Sequence, residues 1–203
     1  MVCCFNRTGP TVDLYPLSNY TFDKKAAQLE KSKNHDERLH RMKVNYEKVG
    51  RRETVEGVLL AHKHGHPHVL LLEINQTFFK LPGGRLRQDE DGVTGIKRKL
   101  FKRMAPIQEH FTPQWEINHL LAEWWRPEFD SLLYPYKPPH ISKPKERKRV
   151  YLVTLPEKCL FAVPSNYLLR AVPLFELYNN VNRYGAVISN LPQLLSHFNF
   201  TIN

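Results

Sequence analysis

The stretch from Thr77 to Ala105 limits what this chain can fold into more than any other part of it. An apolar run, Thr77-Phe78-Phe79-Lys80-Leu81, ends in Pro82-Gly83-Gly84. A loop follows from Arg85 to Asp91, and then a basic segment over Gly92–Met104. Apolar residues stopped by Pro-Gly-Gly read as a short strand entering a loop, and the basic segment reads as a helix. Phe78 and Phe79 are successive strand residues and so point to opposite faces. One ring should enter the core and the other should face a groove or solvent. In the helix, residues three and four apart share a face, which gathers Lys99, Lys102 and Arg103. On these residues alone, an ordinary turn before a solvated basic helix remains open.

At 203 residues the chain suits one domain with a real core. Apolar residues at 41% and charged ones at 25% are globular values. The net charge of +10 favours an anionic partner, nucleic acid first, although an indifferent basic surface would carry the same charge. Cys3, Cys4 and Cys159 make neither a disulfide framework nor a zinc set, which points to a reducing compartment. No run reaches the roughly 18 apolar residues of a membrane span, and the N-terminus lacks the apolar segment of a signal peptide. These features predict a soluble intracellular protein with no membrane contact.

Residues 1–22, with Gly9-Pro10 and Tyr15-Pro16, read as an extended, irregular lead-in, and 23–203 as a single α/β domain. From Asp23 to Val49 a charged segment reads as one or two helices, with Leu39, Met42 and Tyr46 as an apolar stripe and Gly50 as a stop. Thr54–Ala61 and His68–Ile74 read as strands joined through Gly65-His66-Pro67. His62, His64, His66 and His68 alternate here. Gly65 and Pro67 break the strand and no carboxylate or cysteine accompanies the histidines, so solvated turn histidines are expected rather than a metal site. Gln114–Trp125 and Val150–Leu155 read as further strands, and Leu191–Phe198 as a short helix with Pro192 in its first turn. Between them, Arg126–Pro144 holds Pro127, Pro135, Pro138, Pro139 and Pro144 with Tyr134 and Tyr136, a stiffened loop suited to an interface. Lys143–Arg149 carries a dense basic run that is either an import signal, a phosphate patch or a solvated segment.

The spacing Gly84, Glu90, Arg98 resembles a Nudix box, whose helix closes on three glutamates and a glycine. Those glutamates share one helix face, where they hold Mg²⁺ and, through it, a diphosphate. In this chain the glutamate positions are Lys99, Lys102 and Arg103, and the glycine is Ala105. Each such charge repels a cation at about 4 Å by about 1 kcal/mol even in bulk water. The resemblance therefore implies an intact frame without the metal ligands, and no enzyme.

A longer resemblance runs from Leu14-Tyr15-Pro16-Leu17 through Thr54–Val58, Pro67–Leu72, Thr77–Gly84, Trp124–Pro127, Tyr134-Pro135-Tyr136 and His140–Glu146. It continues through Leu160–Pro164, Pro173–Tyr178 and Leu191–Leu195. Together these are similar to the small, Nudix-fold subunit of the eukaryotic pre-mRNA cleavage factor I. That likeness implies an α/β/α Nudix sandwich with a mixed sheet, acting as a nuclear homodimer without metal or cofactor. It also implies binding of the single-stranded RNA element UGUA, a grip on the larger RRM-containing subunit, and a part in choosing polyadenylation sites. Diadenosine polyphosphates are a further implied ligand, bound but not cleaved.

By the resemblance, RNA contacts fall on Glu30, Arg38, Glu56, Thr77, Phe78, Phe79 and Leu81, with Tyr184 near the cavity. Tyr134, Tyr136 and Leu194 match the docking positions for the large subunit. The residue types fit that role, because single-stranded RNA is read by stacking splayed bases on aromatic rings and bonding their edges. Two other readings stay open: a hydrolase of dinucleoside polyphosphates with metal ligands outside the box, and an adaptor that has lost RNA recognition. If the basic helix face meets RNA phosphates, Lys99→Ala with Lys102→Ala should flatten the salt dependence of RNA binding by roughly 0.7 in log–log slope per lost contact. An unchanged slope in a salt titration would remove that role.

Overall fold

Two adjacent apolar runs, tied by a two-residue turn, form the centre of the molecule. The computed structural model describes residues 9–28, 35–74, 78–106 and 115–203. In chain order the first elements are β1 (Thr11–Leu14), β2 (Tyr20–Lys25), α1 (His35–Val49), β3 (Arg52–Lys63), β4 (His66–Ile74), β5 (Phe78–Lys80) and β6 (Gly83–Arg85). Then come α2 (Gly92–Met104), β7 (Glu116–Arg126), β8 (Glu146–Thr154), β9 (Cys159–Pro164) and β10 (Tyr167–Pro173). The chain ends with α3 (Leu174–Leu177), α4 (Val181–Tyr184), α5 (Ala186–Ser189), α6 (Leu191–Leu195) and β11 (Asn199–Ile202). The turn between β3 and β4 is His64-Gly65, with φ of 53° and 75°. Positive φ at both central residues is what a tight hairpin of this twist needs. His66 and Pro67 therefore belong to β4, not to the turn.

The main sheet runs β10-β4-β3-β8-β7, with β5 added to β4 and β6 to β3. It is mixed: β8 runs parallel to β3, while β4, β6, β7 and β10 pair antiparallel with their neighbours. Side chains alternate across it. Val58, Leu60, Val69, Leu71, Val150 and Leu152 face a core closed by Leu177, Tyr184, Ile188, Leu191 and Leu195 of the C-terminal helices. Val55, Leu59, Ala61, Leu70 and Val153 face the other core, which α2 covers with Ile96, Leu100 and Met104. Helices on both faces of a mixed sheet make the expected α/β/α sandwich.

Three local expectations change. The described part of 1–22 is not irregular, because β1 pairs in parallel with β11 and β2 begins at Tyr20. Residues 23–25 are strand rather than helix, since β2 pairs in parallel with β9, Tyr20 opposite Cys159. Both partners lie far along the chain, beyond the reach of local periodicity. The basic run also differs: from Glu146 on it is the start of β8, and its charges are paired. Lys148 Nζ lies 2.7 Å from Glu56 Oε1, Arg149 lies 3.8 Å from Glu53, and Arg147 bonds Glu123. Neighbouring strands supply the acids, so from Glu146 on the run is not simply solvated. Other features hold as expected: α2 spans Gly92–Met104 with Asp91 capping Val93 and Thr94, and Gly50 at φ 76° ends α1.

Glu146 is the buried hinge of this arrangement, 3% exposed. It accepts from Arg126 Nε at 2.9 Å and Thr54 Oγ1 at 2.7 Å, and Arg52 Nε lies 3.2 Å away. Burial alone would raise its pKa. The cations Arg52 and Lys148, with the bonds from Thr54 and Arg126, outweigh burial and hold it down from 4.5 to about 2. A depressed carboxyl stabilises the fold above its unfolded pKa and loses that contribution as pH falls through the folded one. Glu146→Gln should therefore destabilise the protein by about 3 kcal/mol near neutral pH, because it leaves Arg126 buried without its charge partner. The gap to the native protein should then shrink between pH 4.5 and about 2, read by urea unfolding. Glu157→Gln, at an exposed site, should shift neither measurement.

Candidate nucleic-acid interface

Strand β5 is short and pairs with β4 so that Ile74 stands opposite Phe78 and Glu73 opposite Phe79. The pleat then separates the two rings. Phe79 is 8% exposed and enters the core with Leu81, while Phe78 is 55% exposed. This is the split that alternation predicts. Phe79 meets Tyr184 with ring centroids 4.9 Å apart, and the Arg183 guanidinium lies over both, 5.8 Å from Phe79 and 5.2 Å from Tyr184. Tyr184 donates to Glu176 Oε1 at 2.5 Å, and Arg183 donates to the same oxygen at 3.0 Å. Burial, then the bond to Glu176, pushes the Tyr184 hydroxyl up to about 12, so it remains a donor. Arg183 and Glu176 were not anticipated, because only the fold stacks them on Phe79 and Tyr184.

Glu56 lies on β3 between Gly83 of β6 and Val150 of β8. A Cβ at Gly83 would fall 2.1 Å from Val55 O, so only glycine lets β6 come this close. The half-buried Glu56 carboxylate accepts from Lys148 Nζ at 2.7 Å through Oε1. Lys148 was read as part of the basic run; the parallel register of β3 and β8 makes it the partner of Glu56. Arg38 stands on α1, exposed as a residue, beside Arg41 in a pocket with Arg52, Arg85 and Lys145. Burial at its charged end, then the neighbouring Arg52, pulls its pKa down, while Glu146 and Glu56 pull it back. Glu30 and Thr77 lie outside the described residues.

Loop 85–91 is fastened to α2 by Glu90. Arg98 Nε donates to Glu90 Oε1 at 2.5 Å, Arg98 Nη2 bonds Oε2, and the Arg87 N–H donates to Oε2 at 2.8 Å. The Arg98 bond is the main reason the Glu90 carboxyl sits at about 2. Lys99 lies against Gly84: a Cβ there would come within 3.3 Å of Lys99 Cδ and 3.5 Å of Nζ. Burial, then Arg98, Arg103 and Lys102, lowers its pKa to about 8. The C-terminal turn of α2 is closed by Lys25, whose Nζ donates to Lys102 O at 2.9 Å. Chemically this face can attract anions without a metal. Among the described residues no three His, Cys, Asp or Glu side chains cluster as metal ligands would. His62 Nε2 instead lies 2.9 Å from Asn203 O, and His68 Nδ1 2.8 Å from His66 O.

The proline-braced loop is joined to β7 by reciprocal main-chain bonds between Trp125 and Tyr134, at 2.7 and 2.8 Å. The Tyr134 and Tyr136 rings meet at 5.9 Å, with Tyr136 57% exposed. Leu194 lies on α6, packed against the core that Leu133 of the loop also touches.

The profile of the Nudix family NUDIX_2, described as nucleotide hydrolase, matches residues 10–198. The chain is 54% identical over 191 residues to pre-mRNA cleavage factor Im 25 kDa subunit 2 of Arabidopsis thaliana, across 94% of this chain and 96% of that protein. It is 48% identical over 192 residues to cleavage and polyadenylation specificity factor subunit 5 of Dictyostelium discoideum, across 94% and 95%. Against pre-mRNA cleavage factor Im 25 kDa subunit 1 of Arabidopsis thaliana it is 44% identical over 191 residues, across 94% and 86%. With its Leu-Pro-Gly-Gly turn, its Glu90–Arg98 clip and this near full-length identity, the chain belongs to the Nudix family and, within it, to that of the cleavage factor Im 25 kDa subunit.

Proposed function

We propose that this chain is a non-catalytic Nudix protein of pre-mRNA 3′-end cleavage and polyadenylation that binds single-stranded RNA at UGUA. The relatives' names, as cleavage factor and polyadenylation factor subunits, supply the process. The observation that carries RNA recognition is the half-exposed ring of Phe78, one residue from the buried Phe79–Tyr184–Arg183 stack. Phe78 offers an open face to a base, and the stack beneath keeps β5 rigid. Glu56 gives Oε1 to Lys148 and leaves Oε2 to accept from a base N–H, since a carboxylate has about four acceptor positions. Arg38 donates to a carbonyl edge. Glu30 and Thr77 complete the contact set by resemblance alone.

Tyr134, Tyr136 and Leu194 form the surface for the larger RRM-containing subunit, and the protein acts as a homodimer in the nucleus. Diadenosine polyphosphates occupy the same cavity as the RNA. Hydrolysis of such compounds is the weaker reading, because the α2 face offers Lys99, Lys102 and Arg103 where the reaction needs carboxylates.

Fluorescence anisotropy with UGUA RNA and a scrambled control, at one salt concentration with EDTA, tests this reading. The native chain should prefer UGUA without metal. Phe78→Ala should weaken UGUA binding by about 1–3 kcal/mol, the worth of one stacked base. Glu56→Ala should reduce the preference for UGUA while leaving the scrambled affinity in place. Equal affinity for both RNAs would transfer the function to protein docking through Tyr134 and Tyr136.

A further inference from the structure

A strongly cationic concavity adjoins the proposed base-reading surface and shares Arg38 with it. Arg38, Arg41, Met42, Asn45, Tyr46 and Gly50 from α1 and its end, Arg52 from β3, Arg85 from β6 and Lys145 before β8 line it. Five of these side chains are cations, drawn from four parts of the chain. Arg52 shares Glu146 with Arg126, so one carboxylate already serves two guanidiniums. Among the described residues, Arg38 and Arg85 have no carboxylate within ion-pair distance. Arg85 is half-buried nonetheless.

The pocket is continuous with the base-reading surface. Arg85 stands opposite Thr54, two residues along the same sheet face from the Gly83–Glu56 pair, a distance of about 7 Å at strand rise. Its lining does not suit a base. The ring of Tyr46, the aromatic side chain that lines it, is already covered by Lys145, whose Nζ lies 4.7 Å from the ring centroid. Lys145 is held there from a second side by Phe129, 5.4 Å away. Guanidiniums without a free ring to stack on fit phosphate oxygens, which they meet in fork geometry.

We infer that this pocket is a phosphate subsite: Arg41, Arg52, Arg85 and Lys145, beside Arg38, hold phosphodiester groups of the strand whose bases are read at Glu56 and Phe78. The inference rests on the RNA-binding reading and adds to it a backbone register. Phosphate contacts fix where a strand lies without reading its sequence. Arg38, which lines the pocket and is also assigned to base reading, then belongs to both tasks.

The test is a salt titration of RNA affinity, using UGUA flanked by uridines and a scrambled RNA of equal length. The native protein is compared with Arg85→Gln, with Arg85→Gln/Lys145→Gln, and with Lys63→Gln/Lys158→Gln. The last pair removes the same charge from exposed sites outside the pocket, Lys63 at the far end of β3 and Lys158 before β9. Arg85→Gln alone guards against misfolding, because its guanidinium holds no ion pair among the described residues. Each lost contact should lower the log–log salt slope by roughly 0.7, weaken both RNAs equally, and leave the preference for UGUA unchanged; the Lys63/Lys158 variant should keep the native slope. An unchanged slope in the Arg85 variants, or the same loss in the Lys63/Lys158 control, overturns the subsite. Loss of UGUA preference without a change in slope would make the pocket a base reader and also overturns it. A separate titration with inorganic phosphate, followed by amide NMR shifts, distinguishes a free anion: saturable binding lost in Arg85→Gln, with RNA slopes unchanged, would assign the pocket to that anion instead of the strand. Failure of the native chain to prefer UGUA would count against base recognition alone, since the slope comparison is still read on the scrambled RNA.

Discussion

The carboxylate of Glu146, buried at the start of β8, ties together β3, β7 and β8 beneath the proposed RNA surface. Its two oxygens take Arg126 at the end of β7, Thr54 on β3 and the neighbouring Arg52. Such a group is tolerable in a core only while every partner stays in place, because a buried charge that loses its partner is far costlier than the pair is favourable. The register Arg52 opposite Glu146 therefore fixes the parallel pairing of β3 with β8 at that end. Arg126 carries the constraint onward by bonding Asp130 O, which anchors the beginning of the proline-braced loop.

From that junction the sheet distributes charge along one edge. Lys148 is two residues after Glu146 on β8, and the parallel register sets it beside Glu56. Glu56 in turn faces the Pro-Gly-Gly turn, where the missing side chain of Gly83 allows β6 to lie against β3. Glu56, proposed to read a base, and the cationic pocket thus share one backbone scaffold. The aromatic part stands on a separate support, the stack of Phe79, Tyr184 and Arg183 held by Glu176.

The Nudix frame has a structural role here through Glu90. Glu90 binds Arg98 and the Arg87 N–H, closing the loop onto α2. Lys99 fills the space over Gly84, the part of the box from which a metal-binding carboxylate would work in a hydrolase. A lysine there repels cations and attracts phosphate, in keeping with the proposed non-catalytic, RNA-binding role. Desolvation keeps the Lys99 pKa near 8, so its charge at neutral pH is maintained with little margin.

Features set by neighbouring residues could be read from the sequence alone. Pro82-Gly83-Gly84 stops a strand, Asp91 caps the helix that runs to Met104, Gly50 ends α1, and adjacent Phe78 and Phe79 must face opposite ways. These follow from backbone sterics and from periods of 2 and 3.6 residues, which act locally. The family frame was legible for the same reason, since Gly84, Glu90 and Arg98 lie in one short segment. Tertiary structure alone decided what depends on distant partners. It paired β1 with β11 and β2 with β9, turned a basic run into a strand whose Lys148 meets Glu56, set Arg183 over Phe79, and gathered Arg38, Arg85 and Lys145 around one pocket. Ion pairs and cation–ring contacts across strands depend on register and on chain packing, and neither is encoded in the spacing of a single segment.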